Sequence, residues 1–82
     1  MEEERDVLEI WKERITDEIQ HGDIKAATKK AGSTNTTFHN AMKKNRLIEL
    51  SDKELETLES VIERLNARKD RYEKIRAKYA II

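Results

Sequence analysis

The chain has 82 residues, two glycines, no proline and no cysteine, and its 17 basic and 17 acidic side chains cancel. Charged residues make up 41% and apolar ones 37%, too little apolar material in too short a chain for more than one small domain or for a catalytic cleft walled off from water. Disulfide and thiolate–metal chemistry are excluded, and no apolar run approaches the roughly 20 residues of a membrane span.

The start Met1-Glu2-Glu3-Glu4-Arg5-Asp6 is acidic, the opposite of a secretory or mitochondrial leader. The expectation is a soluble, cytoplasmic, all-α protein forming one helical domain over 1–82, with no cofactor, no metal, no small-molecule substrate and no membrane partner. The zero net charge conceals opposed blocks. Residues 1–21 carry three basic and eight acidic side chains (net −5), 22–50 six and two (+4), 51–63 one and five (−4), and 64–82 seven and two (+5). Charge segregated in this way sets aside some faces for an anion and others for pairing within the molecule.

An N-terminal helix is expected over 3–21. Val7, Leu8, Ile10, Trp11, Ile15 and Ile19 recur at helical steps between acids, with Glu2, Glu3, Glu4 and Asp6 near the positive end of the helix dipole. Trp11 reads as a core anchor and His21 as a helix-end residue. Gly22 is expected to stop this helix and Asp23 to cap a short second one at 24–31, with Ile24, Ala27 and Ala31 inward. Gly32 breaks that helix. The polar run Ser33-Thr34-Asn35-Thr36-Thr37 then offers a turn and a hydroxyl-capped start for a third helix over 34–44, placing Phe38, Ala41 and Met42 inward and Asn35, His39, Asn40 and Lys43 outward.

Residues 45–50, with Leu47, Ile48 and Leu50, read as a packed connection. Ser51-Asp52-Lys53-Glu54 is a capping box opening a long C-terminal helix over 52–80. Along it Leu58, Val61, Leu65, Tyr72, Ile75, Tyr79 and Ile82 form a heptad seam interrupted at Arg68, with Leu55 and Ile62 widening it near its start. These seven residues are the expected oligomerisation surface of a homodimer or higher homo-oligomer. Lys69 and Arg76 flank the seam on one side and Arg64, Arg71 and Lys78 on the other, so two such helices side by side would oppose cations. The basic C-terminal half is therefore expected to pack on the acidic N-terminal helix, of its own or another copy.

Residues 24–44 resemble the helix-turn-helix unit of phage Cro and repressor proteins and small bacterial regulators. Ala27 and Ala31 on the first helix, Gly32 at the bend, and Phe38 and Ala41 on the second carry the likeness. Small alanines allow close crossing, glycine tolerates the left-handed bend and Phe38 fills the space beneath. The chain departs from the pattern at Thr28, where alanine is usual, and at Ser33, where an apolar residue is favoured. The resemblance implies sequence-specific binding of double-stranded DNA in transcriptional regulation, with Thr34, Asn35, Thr36, His39 and Asn40 facing bases in the major groove. Lys25, Lys29, Lys30, Ser33, Thr37, Lys43, Lys44 and Arg46 would contact phosphates.

Polar helix starts also serve simply as caps, and lysine-rich faces often only hold water. The rival expectation is thus a helical assembly or adaptor protein, including a phage DNA-packaging component, oligomerised through its C-terminal helix. No catalytic constellation is legible: the two histidines are 18 positions apart, and Glu9/Glu13 and Glu59/Glu63 have the spacing of surface ion pairs. A non-enzyme is expected.

Overall fold

The computed structural model describes residues 5–80. Among them are four α-helices, one 3₁₀ turn and no strand: α1 (Val7–Glu18), α2 (Asp23–Ala31), α3 (Asn35–Met42), the 3₁₀ turn Leu47–Glu49, and α4 (Asp52–Tyr79). The all-α class and the long C-terminal helix are as expected.

Helix α4 is the spine. Its capping box forms in full, the Ser51 hydroxyl accepting from the Glu54 N–H while the Glu54 carboxylate accepts from the Ser51 N–H. Seven of its residues from Glu54 to Leu65 are buried, and at 3.6 residues per turn they span roughly 200° of its circumference. A helix packed on one side buries a stripe nearer 100°. The wider arc arises because α1, α2 and α3 all pack around this half of α4. The core between them is Leu8, Ile15, Ala27, Phe38, Ala41, Leu58, Val61, Ile62 and Leu65, with Trp11, Ile19, Ile24 and Met42 packed against it. Each large side chain buried there contributes about 1.5–3 kcal/mol.

Several boundaries and roles differ from the sequence reading. Helix α1 stops at Glu18, short of 21, because Ile19 turns extended (ψ 141°) and the Gln20 N–H donates to the buried Asp23 carboxylate at 2.7 Å. Residues 3 and 4 of the expected helix lie outside the described residues. Gly22 is left-handed (φ +89°) but precedes α2 instead of closing α1, and Asp23 is the first residue of α2 and not its cap. Helix α3 occupies 35–42 of the expected 34–44, with Thr34 as its cap. Leu47 and Leu50 pack partly against the core, whereas Ile48 is exposed. Val7 and Ile10, placed on the apolar face of α1, are also exposed; Leu8 and Ile15 alone reach the centre.

The seam divides in two. Leu58, Val61 and Leu65 are buried within the single chain, so their assignment to oligomerisation is corrected: α1–α3 already cover them. Tyr72, Ile75 and Tyr79 remain 51%, 46% and 66% exposed, and Ile82 lies outside the described residues. Every residue from Lys69 to Ala80 is exposed. Helix α4 therefore projects from the bundle, and the radius of gyration, 14.7 Å, exceeds the roughly 12 Å of a compact chain of this length.

Candidate nucleic-acid interface

The link between α2 and α3 is built by backbone geometry that only glycine adopts freely. Gly32 has φ +70°, its N–H donates to the Lys29 carbonyl, and the Ser33 N–H donates to the Thr28 carbonyl at 2.8 Å. This pairing closes the last turn of α2 and releases the chain in a new direction. Three residues later α3 has begun, its first turn held by the Thr37 N–H donating to the Thr34 hydroxyl at 3.3 Å. The Lys53 ammonium donates to the Ala31 carbonyl at 3.1 Å, so α4 also clamps the bend.

Both departures from the helix-turn-helix pattern are accommodated by hydroxyl bonding. The buried Thr28 donates to the Lys25 carbonyl at 3.1 Å. The Thr57 hydroxyl gives its one proton to the Lys53 carbonyl at 2.7 Å, so in the 2.6 Å contact between Ser33 and Thr57 it is Ser33 that donates. Ser33 is thereby turned toward α4. Its expected phosphate contact is corrected on that ground.

Helix α3 has two faces. Phe38 and Ala41 are buried, with Met42 half-buried beside them. Asn35, Thr36, His39, Asn40 and Lys43 are all exposed and, at about 100° per residue, fall within a roughly 140° arc centred opposite the buried pair. Thr34, just ahead of them, is also exposed. Asn35, Thr36, His39 and Asn40 make no side-chain hydrogen bond among the described residues that would occupy their polar atoms. The His39 ring stands edge-on to Phe38, centroids 5.3 Å apart and planes at 74°, so the core fixes the direction in which the imidazole points.

The cations sort into two groups. Lys25, Lys29, Lys43 and Arg46 are exposed, and they and Lys44 make no ion pair among the described residues. Lys43 caps the C-terminus of α3, and there the Lys44 carbonyl accepts from the Lys12 ammonium of α1 at 2.9 Å. Three basic residues, Lys12, Lys43 and Lys44, thus meet near a helix end that carries partial negative charge. Lys30 stands apart. It pairs with Glu63 at 3.2 Å, on a flank of α4 that also presents Glu56 and Glu59. An acidic flank is unfavourable to phosphate, and this sets Lys30 apart from the other five cations.

Two anchors of this arrangement were not assigned from the sequence. Asp6 accepts from both the Leu8 N–H (2.9 Å) and the Leu47 N–H (2.8 Å), tying the start of α1 to the segment that follows α3. Asp23, fully buried, accepts from Arg64 at 2.7 Å, from Arg68 and from the Gln20 N–H. Burial pushes the Asp23 carboxyl up, but these donors outweigh it and hold it down at about 2. Arg68, which interrupts the seam, is thereby explained as the partner that fixes α2 to α4. A lone cation at a seam position is the one local sign of such a buried acid.

Among the described residues no group of acids and histidines is placed to hold a metal, and no helix is long and apolar enough to cross a membrane. No family model, curated protein or solved structure matches the chain.

Proposed function

We propose that the protein binds double-stranded DNA sequence-specifically as a transcriptional regulator, presenting α3 to the major groove. The observation that carries this reading is the outer face of α3: an uninterrupted set of amide, hydroxyl and imidazole groups, exposed on a short helix whose opposite face is locked into the core. Asn35 and Asn40 offer the donor–acceptor pair that matches adenine, and the methyls of Thr34 and Thr36 suit thymine. Lys25, Lys29, Lys43, Lys44 and Arg46 would neutralise phosphates and set register. No arginine lies on that face, so A·T-rich half-sites are expected.

In-vitro selection of bound duplexes, followed by titration of the selected and a scrambled site at two salt concentrations, tests the proposal. Enrichment of a motif and at least a hundredfold preference for it support the reading; equal, weak binding to both duplexes overturns it. The projecting end of α4 favours a second reading, a helical assembly or adaptor protein. A defined oligomer with no affinity for any duplex at low salt would select it.

A further inference from the structure

On the outer face of α3, His39 alone carries a group whose hydrogen-bonding pattern changes near neutral pH. It lies near the middle of that face, with Asn35 and Thr36 a turn before it and Lys43 a turn after. Its ring is exposed and stands edge-on to Phe38, so packing on the core sets its direction. A neutral imidazole carries one N–H and one lone pair, whereas an imidazolium carries two N–H groups and no acceptor. Guanine shows two acceptors side by side in the major groove, N7 and O6. The charged ring suits guanine whichever nitrogen meets the base; a neutral ring that turns its lone pair there is repelled.

Among the described residues nothing offers an imidazolium at this position a negative partner. The chain has no acidic residue between Asp23 and Glu49. Asp23 is buried and held by Arg64 and Arg68, and Glu49 accepts from the Asn45 N–H at 3.1 Å. The neighbouring elements add cations, or acids already engaged. Helix α2 presents Lys25 and Lys29, while Lys30 pairs with Glu63. On α4, Glu54 closes the capping box and Glu56 pairs with Lys53. On α1, Glu9 and Glu13 pair with Arg5, and Lys12 holds the Lys44 carbonyl. A duplex reverses this balance, because the phosphates lining its groove favour any positive charge added there.

We infer that His39 reads a guanine as an imidazolium and takes up a proton on binding, so that acidity sets both affinity and the preference for a G·C pair within the A·T-rich half-site. The inference rests on the DNA-binding reading.

In-vitro selection at about pH 6 should return one G·C pair in each half-site. Fluorescence anisotropy on that duplex at fixed salt should show affinity falling about tenfold between about pH 6 and about pH 8, as linkage to one proton per bound chain allows. Replacing the G·C pair by A·T should remove most of that dependence. His39→Gln should lose both the guanine preference and the pH dependence. His39→Arg should keep the preference at every pH, since a guanidinium donates to guanine without titrating. His21→Gln should behave as the wild type, and circular dichroism checks that each variant folds. A selected motif bound equally at both pH values overturns the inference and leaves the DNA-binding reading standing. So does a pH dependence that persists in His39→Gln. Recovery of no motif at either pH overturns both.

Discussion

Asn40 and Lys43 sit one turn apart on the same exposed face of α3, yet their chemistry separates what each can contribute to binding. An amide discriminates between bases, whereas an ammonium meets any phosphate. Asn40→Ala is expected to cost about 1–3 kcal/mol on the selected site and almost nothing on a scrambled one. Lys43→Ala should weaken both equally and lower the slope of log affinity against log salt by about one. Fluorescence anisotropy on the two duplexes at several salt concentrations separates these outcomes. Asp23 makes a different prediction at the same scale. Its carboxyl titrates near 2 when folded, below its usual 3.8, so the unfolded chain takes up the proton first as pH falls. The stabilisation is complete above about pH 4 and is lost as pH drops through the interval down to about 2, amounting to about 2 kcal/mol. Urea midpoints measured from pH 6 to pH 2 should fall more steeply for the wild type than for Asp23→Asn, which will already be less stable at neutral pH.

The helices were largely legible in the sequence because their boundaries are set by neighbours in the chain. Ser51 and Glu54 are three residues apart and cap each other, and Gly32 needs only its own missing side chain to end α2. A methyl added at Gly32 would meet nothing nearer than the Lys53 ammonium at 3.8 Å, so Gly32→Ala carries a backbone cost alone, about 1–2 kcal/mol for the left-handed φ. Thermal melting should report that loss with no change in helix content. The end of α1 was misread for the opposite reason. What stops it is Asp23 drawing in the Gln20 N–H while Arg64 and Arg68, 41 and 45 positions away, hold that carboxylate in place. No local pattern encodes such a contact. The candidate site lay between these cases: the register of α3 follows from Phe38 and Ala41, but the contacts of Ser33 in the turn with Thr57 and of Lys30 on α2 with Glu63 required the tertiary arrangement.

At the scale of the molecule, one uninterrupted periodicity along α4 serves two environments, and this is what sequence periodicity could not divide. Leu65 and Ile75 occupy the same seam ten residues apart; the first is covered by its own chain and the second projects beyond it. Removing methylenes from a packed interior forfeits both transfer energy and contacts, so Leu65→Ala is expected to cost about 2–5 kcal/mol at any protein concentration. Ile75→Ala trims a side chain that is half exposed and outside the core, and in dilute protein it should change stability by less than about 0.5 kcal/mol. If the projecting segment is seated on a second copy, the two variants diverge further as concentration rises, because ligation by a partner stabilises only the chain able to bind it. The wild type would then melt higher when concentrated, Leu65→Ala would shift in parallel below it, and Ile75→Ala would show little concentration dependence. Melting curves over a hundredfold range of concentration therefore separate the two halves of the helix, and parallel shifts for both variants would place Ile75 outside any contact between copies.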